Sequence, residues 1–473
     1  MSNEIVIIDT LDEVREFLHN ASDAASFREI GLSMIVRGEG AARAIVETLE
    51  KLKVERGAPV TVLSDTTAKR YGDLDVLDVV LEVLVSAYRV DVVKVTASTP
   101  ASIVLADEST VEGAIEDVTG LAPHALVSVG SGTVVDIGKV VARQLSLAHV
   151  VVQTAASVNG FSDDQSVLLV KGVKRSSPSR WPDALIIDPI VVAQAPLAMT
   201  RSGLGDQLSM FSAAADWYLT DAVGFDTSYS PTLVALMRDS FAGMGSTSRE
   251  LGEGLPVAVA SLASCLALGG ITMGVAGRTA PSSGTEHLIS HLLEMHADAL
   301  GIPSASHGSQ VGVACVFTML LWRRLREHLT TGDRRVEGIN IASRESVFET
   351  FAHLDTTGAL AEECWTAYER KARWTSTHLD DVQRVVSEWS SHDHAIGELL
   401  GPDGDIAAML RDAQAPLSFS QLEPAPPRDV VAWSIANGYL MRDRFTIIDL
   451  AVLIGYWTPD NIAALMKELD ELA

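Results

Sequence analysis

Short apolar, β-branched runs recur through the first 190 residues, at Val60–Leu63, Val92–Val95, Leu126–Val129, Val150–Val152 and Leu185–Ile187. Between them lie stretches with helical spacing of apolar positions, such as Ala41–Leu52 and Tyr71–Ala87. Strands separated by helix-length segments predict βαβ units and a parallel sheet. The runs are continuous rather than alternating, the pattern of strands covered on both faces. After Pro189 the period changes. Helical segments follow one another at Arg201–Leu219, Pro231–Met244, Leu255–Ala276, Gly284–Leu300 and Gln310–His328, and more continue to Leu472. Strand signals nearly vanish there. The chain therefore reads as an α/β domain over residues 1–190 followed by an all-helical domain over 191–473. The Pro-rich stretch Leu422–Arg428 reads as a local turn, and the extra helical sequence between about 330 and 430 carries no motif.

Length agrees with two domains, because 473 residues exceed the roughly 250–300 at which single cores stop growing. Asp and Glu total 62 against 36 Lys and Arg, a net charge of −26. That balance excludes a nucleic-acid partner, which needs a basic footprint to displace counterions. A small anion can still be held by local cations and helix N-termini. Cys265, Cys315 and Cys364 lie far apart, which excludes a cysteine zinc cluster, argues against disulfides and fits a reducing cytoplasm. The acidic N-terminal stretch does not read as a targeting segment. Gly254–Gly277 is uncharged and long enough to cross a bilayer. Its repeated Gly, Ala, Ser and Thr, without flanking bases, predict a buried core helix and no membrane span.

Three signals carry chemistry. In Leu126-Val-Ser-Val-Gly130-Ser131-Gly132-Thr133-Val-Val-Asp136 a buried strand runs into a Gly-Ser-Gly turn and a helix. Missing side chains let backbone amides approach a diphosphate, helped by the helix N-terminus; an ordinary glycine turn has the same string. The step Val151-Val-Gln-Thr154-Ala-Ala-Ser157-Val-Asn159-Gly160 puts short polar side chains at a strand's carboxyl end, where open α/β sheets bind ligands. Finally, Gly205-Asp206, the pair His287 and His291 on one helical face, and His307 offer carboxylate and imidazole ligands for a divalent ion. The spacing is not HExxH, so a zincin protease is not supported.

In this order, GSGTVVDIGK, QTAASVNG, GLGDQLSMFSAAADW, SSGTEHLISH, SHGSQVG and RDRFTIIDLA resemble the iron-alcohol-dehydrogenase and dehydroquinate-synthase superfamily. Within it they are most similar to the glycerol-1-phosphate dehydrogenases, their bacterial AraM-type members included. The resemblance spans roughly residues 30 to 455. It implies a dinucleotide-binding α/β domain and a helical metal- and substrate-binding domain. By motif match it implies Asp206, His287 and His307 as metal ligands, with His291 one turn on orienting substrate or relaying a proton. Gly130, Ser131, Gly132, Thr133 and Asp136 match the diphosphate loop, and Thr154 and Ser157 the loop beside the nicotinamide. Asp65 sits where a carboxylate meets the adenosine ribose, which implies NAD(H) over NADP(H). Asn159 stands where the family commonly has Asp, altering one substrate or metal-water contact.

The implied reaction is metal-dependent reduction of dihydroxyacetone phosphate to sn-glycerol 1-phosphate, with one divalent ion (zinc first, nickel or iron otherwise). Lys171, Lys174 and Arg175 are candidates for the phosphate, with a solvated basic loop as the alternative. A cytoplasmic homo-oligomer, a dimer, serving phospholipid metabolism completes the expectation. Other readings are a dehydrogenase of another polyol, a sugar-phosphate cyclase using NAD transiently, and a catalytically degenerate binding protein. The Asp206 helix lacks the Lys expected after the acidic ligand in dehydroquinate synthases, which counts against the cyclase.

Overall fold

The computed structural model describes residues 6–97, 104–331, 335–337, 341–401 and 405–473. Among the described residues one large sheet has seven strands: β1 (Ile7–Asp9), β2 (Met34–Arg37), β3 (Pro59–Ser64), β4 (Arg89–Lys94), β5 (Ala125–Gly130), β6 (Ala148–Gln153) and β7 (Ala184–Ile187). Their order is β1-β2-β7-β6-β5-β3-β4, parallel throughout except for β1 against β2. Val60, Val62, Val127, Val129, Val150 and Val152 face one apolar layer with Ile45, Leu49, Val76 and Val80. Leu63, Leu126 and Val93 face a second layer with Val134, Ile137 and Val141. That double burial is why the inner strands read as continuous apolar runs. The edge strand β4 departs from it, with Val92 40% exposed. Strands β1 and β2 and a hairpin of Gln165–Val170 and Val173–Pro178 lie outside the runs singled out in the sequence, although Met34–Val36 and Val167–Val170 are short apolar stretches of the same kind.

Five helices position the candidate sites: α1 (Gly132–Leu145), α2 (Leu197–Val223), α3 (Pro256–Ala276), α4 (Thr285–Leu300) and α5 (His307–Thr331). By contacts the chain forms two compact units. The first comprises Met1–Val170, Lys174–Gly203 and Ala235–Thr279; the second comprises Lys171–Val173, Leu204–Val234 and Ala280–Ala473. This division differs from a single cut near 190, because α3 packs on helix Pro189–Ala193 and on β7 and so belongs with the sheet. Helical periodicity alone does not say what a helix packs against. Among the described residues α3 is also the one helix long and apolar enough for a bilayer, and 72% of its apolar window is buried.

In the second unit α4 has two distinct faces. Leu288, Leu292 and Met295 share a core with Val347 and Phe351 of helix Arg344–Phe351 and with Leu360, Cys364 and Tyr368 of α6 (Ala359–Thr377). The extra sequence of the 330–430 region thus forms helices, two of which brace α4.

Candidate active site and metal centre

The topology of the first unit points to a ligand site at the carboxyl ends of β3 and β5. From β3 the chain steps outward to β4, then returns to β5 on the other side and continues to β6 and β7. Parallel sheets hold ligands at such a reversal. Gly130 ends β5, and a Cβ on it would meet the Val134 side chain at 2.5 Å, so this glycine seats α1 against the strand. Ser131, Gly132 and Thr133 are half-buried at the start of a 14-residue helix, the kind of N-terminus whose first-turn amides favour an anion. Asp65, one residue past β3, pairs with Lys69 and accepts the Thr67 backbone N–H. Thr154 donates its backbone N–H to Gly130 O at 3.1 Å, and Thr154, Ser157 and Asn159 are all buried. Asn159 O would meet a Cβ on Gly270 of α3 at 2.6 Å.

Asp136, one turn into α1, is turned to a different task. Lys139, 0% exposed, lies 3.3 Å from Asp136 and 2.7 Å from Asp163, and donates to Gly160 O at 2.9 Å and to Gln165 O. Burial raises the Asp136 carboxyl to about 6, with Lys139 opposing and Asp163 adding to the rise. Burial alone would lower the Lys139 ammonium, but the two carboxylates outweigh it and hold it charged. Lys139 therefore ties α1 to the end of the Thr154–Gly160 loop. Its position in GSGTVVDIGK was the only sign of it in the sequence, and apart from Asp136 its partners Gly160, Asp163 and Gln165 lie 21 to 26 residues on. Lys174 and Arg175 lie on the Val173–Pro178 strand, and Lys171, in the other unit, is 3.8 Å from Glu363.

The second unit gathers the ligand-type residues. Helices α2 and α5 cross closely, since a Cβ on Gly205 would meet Gly308 O at 2.2 Å and Gly312 Cα at 3.1 Å. Glycine is needed at that crossing, and it brings Asp206 beside His307. Asp206 Oδ1 lies 3.4 Å from His287 Nε2 and 3.8 Å from His307 Nε2, and Asp206 is 1% exposed. Ligand atoms of all three lie within 4.8 Å of one another. Bonds of about 2.1 Å at tetrahedral angles separate ligand atoms by about 3.4 Å. A carboxylate and two imidazoles at these separations fit one divalent ion. His291 stacks on His307 with ring centroids 5.4 Å apart.

The supporting residues are charged and mostly far apart in sequence. Asp216 accepts the backbone N–H groups of Thr285 at 2.8 Å and Ile447 at 2.9 Å, fixing the starts of α4 and of α7 (Ile447–Leu453). Burial, with the Glu286 charge, raises Asp216 to about 7. Glu286 Oε2 accepts from Ser212 Oγ at 2.7 Å while its Oε1 lies 2.9 Å from His287 Nδ1. Burial would push the His287 imidazolium down, but Asp206 and Glu286 outweigh it and raise it to about 9. Arg442 Nη2 lies 3.4 Å from His291 Nδ1.

Residues 36–196 match the iron-containing alcohol dehydrogenase family. Glycerol-1-phosphate dehydrogenase [NAD(P)+] of Natronomonas pharaonis is 30% identical over 308 residues, 63% of this chain and 82% of that enzyme. The chain belongs to the glycerol-1-phosphate dehydrogenase family. It is thus a dehydrogenase of the iron-containing alcohol dehydrogenase type. The Bacillus subtilis relative of the same name is 27% identical, with the match spanning 50% of this chain and 59% of that one. Among solved structures, a probable glycerol dehydrogenase from Sinorhizobium meliloti superposes with a TM-score of 0.56 at 16% identity, covering 93% of this chain and 96% of that one. Maleylacetate reductase from Agrobacterium tumefaciens gives 0.54 at 16% identity with the same coverages. These two establish the α/β-plus-helical fold expected from the hydrophobic pattern.

Proposed function

We propose that the protein reduces dihydroxyacetone phosphate to sn-glycerol 1-phosphate with a nicotinamide dinucleotide, preferring NADH, and one divalent ion, zinc first. The observation that carries the reading is the 30% identity across 82% of the Natronomonas glycerol-1-phosphate dehydrogenase. The Asp206, His287 and His307 donor set supports it. In this reading the amides of Gly132 and Thr133 bind the diphosphate, Asp65 the adenosine ribose, and Thr154 and Ser157 line the nicotinamide side. Asp206, His287 and His307 hold the ion. The bound ion supplies a Lewis acid for the substrate carbonyl, and the dihydronicotinamide supplies the hydride. His291 orients the substrate and delivers the proton to the carbonyl oxygen. Asn159 offers an amide where a carboxylate is usual, which lets it donate as well as accept. Three buried free cysteines suit a reducing, cytoplasmic setting, and a homo-oligomer feeding phospholipid synthesis follows from the resemblance.

The test supplies zinc, NADH and dihydroxyacetone phosphate and reads the product with an enantiomer-specific assay. Stoichiometric NADH oxidation with the sn-1 product is expected. A product of sn-3 hand, or no oxidation under zinc, nickel or iron, rejects the substrate. A transient change in NADH absorbance without net oxidation points to a cyclase instead.

A further inference from the structure

Three imidazoles face one another in the helical unit, with ring centroids 5.2 to 5.9 Å apart. Their Nδ1 neighbours differ in kind. His287 Nδ1 lies 2.9 Å from Glu286 Oε1, and His307 Nδ1 lies 3.3 Å from both Glu294 Oε2 and Ser290 Oγ. The Ser290 hydroxyl donates to Gln310 Oε1 at 3.4 Å and so leaves its oxygen to accept from the ring. Both carboxylates are buried, at 0% and 7% exposure. His291 Nδ1 meets the Arg442 guanidinium instead, at 3.4 Å. An ionised carboxylate only accepts hydrogen bonds and a guanidinium only donates them. A neutral ring beside a carboxylate therefore carries its proton on Nδ1 and turns a bare Nε2 outward. A neutral ring beside a guanidinium carries its proton on Nε2.

We infer that these partners sort the three imidazoles by tautomer: Glu286 and Glu294 commit His287 and His307 to binding the ion through Nε2, while Arg442 makes His291 an Nε2–H donor. The inference rests on the metal-centre reading above and deepens it, naming Glu286, Glu294 and Arg442 as positioning residues. The Nε2 atoms of His287 and His307 already point to the shared Asp206 Oδ1, at 3.4 and 3.8 Å. Glu286 is itself held by Ser212 Oγ and by the Gly284 N–H, so it cannot swing away without breaking both. Carboxylates behind ligating imidazoles fix ring orientation and raise ligand basicity. A second converging set, His291, Glu294 and His307, also lies within 4.8 Å. The fixed positive charge of Arg442 against His291 opposes a second cation there, and the same Glu294–His307 contact then serves orientation.

The experiment uses zinc-loaded, [15N]histidine-labelled full chain. Nitrogen–proton correlation spectra assign each ring's tautomer, elemental analysis counts zinc, and chelator competition gives zinc affinity. The expected result is one zinc per chain, Nδ1–H on His287 and His307, and Nε2–H on His291. Glu294→Leu should weaken zinc about 10- to 100-fold, with Glu294→Gln, which keeps an accepting oxygen, restoring most of it. Arg442→Leu should leave zinc affinity unchanged and release His291 into a mixture of tautomers. Melting of the zinc-free variants separates misfolding from lost ligand orientation, and the Gln variant carries the test should the Leu variant not fold. An Nε2–H on His307, an Nδ1–H on His291, two zinc ions per chain, or unchanged affinity in Glu294→Leu would overturn the sorting. One bound zinc with these tautomers but no turnover of dihydroxyacetone phosphate leaves the sorting standing and removes only the substrate. Failure to bind zinc at all rejects both.

Discussion

The two units each bury carboxylates and an imidazole, and they settle the charge in opposite ways. In the sheet unit Asp136 and Asp163 close around the ammonium of Lys139, with the Gly160 and Gln165 carbonyls accepting further hydrogen bonds. The cation there is built into the chain. In the helical unit Asp206 faces the Nε2 atoms of His287 and His307, and the charge on His287 is adjustable. His287, raised to about 9 by Asp206 and Glu286, carries a proton that a bound ion would have to displace. Two fully buried imidazoles make the contrast sharp. Burial drives His149 down to about 3, with the Arg180 and Lys139 charges adding to it, whereas Asp206 and Glu286 lift His287 to about 9 against the same burial. Burial alone keeps a histidine neutral. Carboxylates around a buried histidine reverse that preference and favour the positive charge.

The comparison breaks first if removing the adjustable set proves harmless. Asp206→Ala should strip the ion and lower activity by about a thousandfold, several kcal/mol of lost carbonyl polarisation, while urea unfolding stays cooperative. Elemental analysis and NADH oxidation read both arms, and full metal content in the variant would sink the assignment. Lys139→Met should do the reverse. It strands the buried Asp163 and the partly buried Asp136 and should cost about 3–5 kcal/mol of unfolding free energy with zinc affinity unaltered. A stable Lys139→Met protein that has lost its zinc would invert the division of roles.

His149 gives the next largest effect. Its folded ring takes up a proton only near pH 3, while the unfolded ring does so at about 6.5. Its contribution is therefore complete above about 6.5 and drains as pH falls toward 3, by about 1.4 kcal/mol per pH unit. Between pH 6.5 and 5 that is about 2 kcal/mol. His149→Gln, which can keep the Ser128 Oγ partner 2.9 Å away, should show a correspondingly flatter acid slope in urea titrations. Identical slopes would remove His149 from the contrast. The smallest effect concerns Asp65. Its carboxylate repels the 2′-phosphate of NADP, but Lys69 already offsets part of that charge. Asp65→Ser should shift the NADH-to-NADPH preference by about tenfold, some 1.4 kcal/mol. A wild-type enzyme faster with NADPH would show that Asp65 does not read the ribose.

Local signals in the sequence were reliable where the cause is local. Continuous β-branched runs mark β3, β5, β6 and β7 because both sheet faces are covered. The i, i+4 spacing of His287 and His291 is itself a helical contact. What escaped depends on distant pairs. Asp216 ties α4 to Ile447 across 231 residues, and Arg442 reaches His291 across 151. Glu286 and Glu294 looked like ordinary helix acids until their burial and the aim of the rings were visible. The placement of α3 with the sheet was hidden for the same reason, since its helical period is indifferent to its neighbours. Asp136, matched to the diphosphate loop, has its carboxylate occupied by Lys139.

Helix α4 presents His287, His291 and Glu294 on one face and Leu288, Leu292 and Met295 on the face about 100° round from it, each series at i, i+4, i+7. In the proposed reading, holding an ion and holding the apolar core of the helical unit are therefore properties of one rod. An ion bound only by the folded state stabilises it by mass action, about 2.7 kcal/mol at a free concentration a hundredfold above the dissociation constant. In a cell short of that metal, the first casualty would be abundance: chains whose helical unit opens more often are removed, and the loss of activity follows the loss of protein.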